Sequence, residues 1–315
     1  MMVGYLSKKL LLTLPTLLLV SAVVFVLIRL VPGDPAQVML GDAADPSQLA
    51  RLRHDLGLDQ PIPVQFALWL GHALHGDLGR SISNGQPVLA LVFQRFQVSA
   101  GIVLAAIVIA TAVAVVAGLV AAWRQGGAVD LAIVSGATLL LSVPSFWLGL
   151  LLLLLFGVKL GWLPFVGYVP VTQNLWQGLA YLVLPVATLA ITEAGVLTRM
   201  MRSSALDVMG LEYVTHARAK GLPESRVLLR HVLPNAFGPT WTLVGLVLGH
   251  LLGGIAVIET VFTLPGLGRL MVDSILARDY PVVQGCLLFT ALVYVLVNLV
   301  VDLCYPIFDP RITAR

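Results

Sequence analysis

Long apolar runs alternate with short polar intervals along this chain. The runs cover residues 10–31, 97–122, 128–157, 179–198, 238–258 and 283–304. Each is about twenty residues or longer, enough for a helix to cross roughly 30 Å of hydrocarbon. The pattern predicts six transmembrane helices and an all-α integral membrane fold. A cleavable signal peptide has an apolar core of about 7–15 residues, so the first run is expected to be a retained span. Pro15 falls within its first turns. Pro144, inside the third run, predicts a kink.

The polar intervals differ in kind. Residues 32–96 are punctuated by Pro, Gly and Asp, with helical patches at 47–56 and 61–75, and predict a small helical cap on the membrane surface. Residues 158–178 are rich in Trp, Tyr and Pro, which suits the interfacial zone. Residues 259–282 predict a second loop with a short, partly re-entrant helix. All of this fits one membrane domain over residues 1–315.

Composition agrees. The chain is 58% hydrophobic and 11% charged, with mean hydropathy +0.95, whereas soluble domains carry about 25% charge. The net charge of +3 gives no reason to expect nucleic acid as a partner. Placing the N-terminus inside assigns eleven Lys and Arg to the cytoplasm against seven outside, so both termini and residues 199–237 are expected there. Cys286 and Cys304 are eighteen residues apart on one run, about 27 Å along a helix, too far to pair with each other.

Residues 212–236, EYVTHARAKGLPESRVLLRHVLPNA, are the most charged stretch. They predict two short helical pieces separated at Gly221, where φ > 0 ends one helix, and Pro223, which opens the next. A solvated basic loop is the plain alternative, since charge runs commonly are that. The chain has no G-x-x-x-x-G-K-[ST] phosphate loop, so ATP is not expected to bind here in that way. It also lacks H-E-x-x-H and Cys/His clusters, so it is not expected to be an enzyme.

The spacing around Gly221 resembles the EAA loop of ABC importer permeases: a Glu-Ala-Ala triplet, three residues, Gly, nine residues, then Ile-x-Leu-Pro. Thr215-His216-Ala217 stands at the triplet, Gly221 at the glycine, and His231-Val232-Leu233-Pro234 at the end. Thr215 replaces the acid and His231 the Ile; Glu212 lies one turn earlier. Further stretches resemble the dipeptide, oligopeptide and nickel subfamily. They include 30–35 (LVPGDP), 56–61 (LGLDQP), 75–79 (HGDLG), 202–204 (RSS), 258–260 (IET), 264–268 (LPGLG), 278–285 (RDYPVVQG) and 309–311 (DPR).

The resemblance implies a permease subunit of a type I ABC importer with an extracytoplasmic cap at 32–96 and a cytoplasmic coupling loop at 199–237. It implies a second homologous permease, two cytoplasmic ATPases that bind ATP and Mg, and an extracytoplasmic solute-binding protein. No cofactor is expected in this chain. The expected cargo is a di- or oligopeptide, with nickel or a metal chelate, or glutathione, as alternatives. The ATPase-docking residues are expected among Glu212, Tyr213, Thr215, Ala217, Arg218, Lys220, Gly221, Leu222, Leu233 and Pro234.

Three other features invite a role. Gly245, Gly249 and Gly253 form a small-xxx-small ridge that lets a helix approach closely in lipid, from this chain or from a second permease. Glu193 is an acid within the fourth span, a candidate for the pathway or for a structural hydrogen bond. An ion-gradient-driven carrier would need such an acid, and this is the rival from another class. His72, His75 and Asp77 could be a metal set, but a structural role is the plainer expectation.

Overall fold

The computed structural model describes residues 2–30, 35–40, 45–55 and 57–308. The chain runs through α1 (Met2–Leu30), α2 (Pro35–Leu40), α3 (Pro46–Asp55) and α4 (Ile62–Leu74). Then come α5 (Val88–Trp123), α6 (Ala128–Ser142), α7 (Ser145–Leu152), α8 (Leu175–Met209), α9 (Glu212–Ala219) and α10 (Glu224–Val227). Last are α11 (Leu233–Gly254), α12 (Ala256–Val261), α13 (Leu267–Leu276) and α14 (Tyr280–Phe308). Motif residues 31–34, 56 and 309–311 lie outside the described residues.

Five described helices are long and apolar enough to cross a membrane, and the bent pair of α6 with α7 and its π-helical continuation (Leu153–Lys159) is apolar enough to bring the number to six if it forms one broken span. The expected kink at Pro144 is a bend of 98°. The residue before this proline, Val143, is extended at φ −95°, ψ 121°, as a position preceding proline favours, and this stops α6 at Ser142. Two other helices outrun their apolar runs: α5 starts at Val88, nine residues before the hydrophobic segment, and α8 spans 35 residues.

Helices α5 and α8 form the centre. Gly118 of α5 meets α8 so closely that a Cβ there would lie 2.7 Å from Met201 Cβ. Gly195 of α8 likewise abuts the Ala137 carbonyl of α6. The main core draws Ile102, Val103 and Ala106 from α5, Leu189 and Leu197 from α8, Leu251 from α11, and Ile258 from α12. Small residues at these contacts are what helix association in lipid calls for, since burying Leu against Leu gains little over lipid.

The cap and the 210–232 loop sit at opposite ends of the bundle. At the cap end, Phe25 of α1 packs on Phe66 and Trp69 of α4 at ring-centroid distances of 5.3 and 5.6 Å. Arg29 lies 3.8 Å from the centre of the Phe25 ring and donates to Gln65 Oε1 at 2.9 and 2.6 Å. It clasps α1 to α4. Farther along, Ser81 Oγ donates to Asp279 Oδ2 at 2.5 Å, and the Ile82 and Ser83 amides donate to the same carboxylate at 3.1 and 3.2 Å. The loop before α5 is thus latched to the turn before α14.

His75 and Asp77 are used locally. His75 Nδ1 bonds the Gly71 carbonyl at 2.8 Å, and Asp77 Oδ1 accepts from the Gly79 amide.

Candidate functional site: the helix-turn-helix at residues 210–234

After α8 ends at Met209, α9 opens with Glu212 in its first turn, where a carboxylate favours the helix dipole. It stops in a Schellman motif: the Gly221 amide donates to the Arg218 carbonyl at 2.9 Å and the Leu222 amide to the Ala217 carbonyl at 3.4 Å. Gly221 has φ +73°, and a Cβ there would meet nothing within 4 Å. The glycine is needed for its backbone conformation and not for close packing. Pro223, at φ −65°, then leads into α10. Across the turn the Arg218 guanidinium donates to Glu224 at 2.6 Å, which closes the two helices on each other.

The inner face of this unit is sealed. Val214, Ala217, Val227 and Val232 are buried together with Leu119 and Ala122 of α5 and Met201, Ala205 and Val208 of α8. Ala217, expected at the docking face, is 6% exposed. It lies on the α9 face that meets α5 and α8, where only a small side chain fits a short helix laid on two long ones. Leu222 and Leu233 are half-buried against the same cluster.

The outer face is open. Glu212, Tyr213, Thr215, His216, Lys220, Gly221, Arg226 and Pro234 are exposed. Three large apolar side chains stand among them: Leu211, Tyr213 and Leu229, at 48%, 41% and 59% exposure. Tyr213 OH also reaches the His231 carbonyl at 3.4 Å, which accepts from Asn235 Nδ2 at 2.8 Å. The chain is π-helical from Leu228 to Val232, just before Pro234. Pro234 has no amide hydrogen to complete the normal i→i−4 ladder, and the wider turn is where the helix absorbs that loss.

Next to this unit, Arg202 of α8 makes a two-pronged pair with Asp130 of α6, at 2.6 and 2.7 Å. The Gly126 amide adds a third donor to that carboxylate. The signal for Asp130 in the sequence is a lone acid at the head of an apolar run, a group that must find a partner.

Gly245 and Gly249 face α14, against Val301 and Tyr294, while Gly253 has open space. The ridge therefore serves this chain's own last helix for two of its three glycines. Glu193 is half-buried on α8 and lies near His250 of α11; neither residue's place in the sequence suggests that neighbour.

At the cap end, Glu259 is fully buried and accepts from Ser99 Oγ at 2.5 Å and from the Arg269 amide at 2.8 Å. Burial pushes its carboxyl above the ordinary range, and these hydrogen bonds only partly offset the rise. Ser99 in turn accepts from the Leu267 amide, so the two side chains hold the first turn of α13. Gly266 is required there, because a Cβ would collide with the Glu259 carboxylate.

Profiles of known families fit this architecture. Residues 114–314 match the binding-protein-dependent transport system inner membrane component, and residues 2–114 match the N-terminal region of the same class of membrane components. The chain belongs to this family. The permease is 44% identical over 312 residues, 99% of each chain, to a putative peptide transport system permease protein of Brucella melitensis. It is 39% identical over 98% of each chain to a probable peptide ABC transporter permease protein of Sinorhizobium fredii. It is 42% identical over 99% of each chain to the glutathione transport system permease protein GsiC of Salmonella typhimurium. The permease is thus a non-catalytic, multi-pass inner-membrane component, and ATPases and a binding protein are its partners in a transporter of this kind.

Proposed function

We propose that this permease carries peptides inward as one half of a pathway completed by a second homologous permease. Residues 199–237 take the docking ATPases at the cytoplasmic face, and both termini lie on that side. The observation that carries the docking assignment is the division of the helix-turn-helix into two faces. Its inner face is locked onto α5 and α8, and its outer face leaves Leu211, Tyr213 and Leu229 uncovered beside exposed charge. Apolar side chains clustered at a charged surface mark a contact site.

The mechanism follows from that division. A push on the outer face of α9 acts through Val214 and Ala217 directly on α5 and α8. Since the Arg218–Glu224 pair and the Schellman turn hold α9 and α10 as one body, the push is transmitted and not spent in bending the loop. ATP-driven closure of the partner ATPases would then bias the permease pair between two arrangements, in proportion to how differently each is bound.

The peptide assignment is supported by the relatives from Brucella and Sinorhizobium. Glutathione, itself a small peptide, is the second reading, favoured by the Salmonella relative. Co-purification with ATPase subunits, followed by vesicle uptake with and without ATP, tests the whole. Uptake that persists without ATP and collapses with a protonophore would give the protein to the ion-driven class, with Glu193 and His250 as the first residues to examine. Tyr213→Ala with Leu229→Ala should lower ATPase retention at least tenfold while the melting temperature of the permease stays put.

A further inference from the structure

Between α5 and the start of α13 the cap end contains a polar cavity of about 260 Å³, lined by Arg95, Pro265, Gly266, Arg269, Leu270 and Asp273. Arg95 Nε is buried there with no hydrogen-bond partner among the described residues. Burying a guanidinium N–H without an acceptor is unfavourable, and native structures rarely leave one so. Arg269 is only loosely engaged: its Nε lies 3.7 Å from Asp273, a carboxylate 64% exposed to solvent.

Two guanidinium groups thus line the cavity with one exposed carboxylate, and the nearby Glu259 is already committed to Ser99 and the Arg269 amide. The cavity is short of one acceptor. Guanidinium presents a planar fork that matches a carboxylate in a two-pronged pair, and this is the ligand chemistry it selects best.

We propose that this cavity is a carboxylate-binding subsite at the cap-end mouth of the pathway, with Arg95 as its main ligand and Arg269 as its second, and that it takes the free carboxylate of the entering peptide. The proposal rests on the peptide-import reading above. In that reading the cap end faces the binding protein, so the subsite lies on the side from which the cargo enters. Its effect would be to orient the peptide with its carboxylate held at the mouth.

The test uses the assembled transporter (permease pair and ATPases) in nanodiscs, titrated with trialanine and with trialanine amide. Wild type should bind trialanine at least tenfold more tightly than the amide. Arg95→Gln should bind both as weakly as wild type binds the amide, and Arg95→Lys should recover part of the difference. ATPase activity and melting temperature check that the variants assemble; if Arg95→Gln fails to assemble, the wild-type comparison of acid with amide still decides.

Equal binding of the two probes by wild type, or unchanged trialanine binding by Arg95→Gln, overturns the subsite. A co-purifying phospholipid that Arg95→Gln loses, with trialanine binding unchanged, overturns it too and gives the cavity to a headgroup. Absence of ATP-driven uptake of any peptide by the wild-type complex with its binding protein would instead sink the import reading, and the proposal with it.

Discussion

Asp130 and Arg202, 72 residues apart in sequence, meet at 2.6 Å where α6 packs on α8. Their side chains are 7% and 25% exposed, so either one alone would be a charge poorly reached by water. Asp130→Asn should therefore destabilise the permease by about 3 kcal/mol, the range for breaking a buried pair. The double variant Asp130→Asn with Arg202→Gln should lose less than the two single losses added together. Thermal unfolding of the purified protein in one detergent measures both, and strict additivity would show that the pair carries no coupling.

Gly221 supplies the left-handed backbone of the turn, with φ +73° and open space beyond it. Gly221→Ala should cost about 1 kcal/mol, for the conformation alone. Gly221→Pro removes both that conformation and the amide bonded to Arg218. It should insert normally in the membrane yet lose ATPase association. Normal ATP-coupled uptake by the proline variant would count heavily against the docking role.

The glycine ridge separates two roles by position. A Cβ at Gly249 would lie 2.5 Å from the Tyr294 ring, and none at Gly253 would touch anything within 4 Å. Gly249→Ala should destabilise by about 1–3 kcal/mol through overpacking. Gly253→Ala should be neutral or slightly stabilising, as alanine favours helix over glycine. Equal melting temperatures for the two variants would contradict the packing described.

Asp279 makes the cap latch sensitive to acid. Burial alone would raise its carboxyl, but donation from Ser81, Ile82 and Ser83 outweighs burial and holds it below the ordinary value of 3.8. The folded state then binds fewer protons than the unfolded one in this range. The stability contributed is complete above about 3.8 and is lost as pH falls through the folded value. Asp279→Ala should cost about 2 kcal/mol at neutral pH, because it strands the buried Ser81 hydroxyl and two partly buried amides, and should flatten the acid limb. Proteolysis of the 79–87 segment as a function of pH reads this directly.

Much of this was legible in the sequence, for identifiable reasons. Apolar runs longer than a bilayer is thick have few alternatives to helices, and the Gly221-Leu222-Pro223 punctuation admits few turns other than the one found. What the sequence left hidden depends on which helices become neighbours. Ala217 lies on one face of an eight-residue helix, and nothing in that helix tells whether the face meets a partner or the end of α5. Asp130 and Arg202, or Glu259 and Ser99, are separated by 72 and 160 residues, distances over which periodicity carries no pairing information. Pro144 marked a disturbance, but its 98° size is set by α7 leaving to pack on α8 and α12.

The length of α5 has a mechanical consequence. Its 36 residues contain no proline, so it is an uninterrupted rod of about 54 Å at 1.5 Å per residue. One end, at Leu119 and Ala122, is clamped beneath the helix-turn-helix, and the other, at Val88 and Val92, is packed against α13 and α14. Tilting such a rod by about 5° about one end swings the other by about 5 Å. Arg95 and Ser99 ride on the swinging half. A small stroke at the helix-turn-helix would thus arrive at the other end of α5 enlarged, at the place where the Arg95 cavity and the Glu259 hub are built.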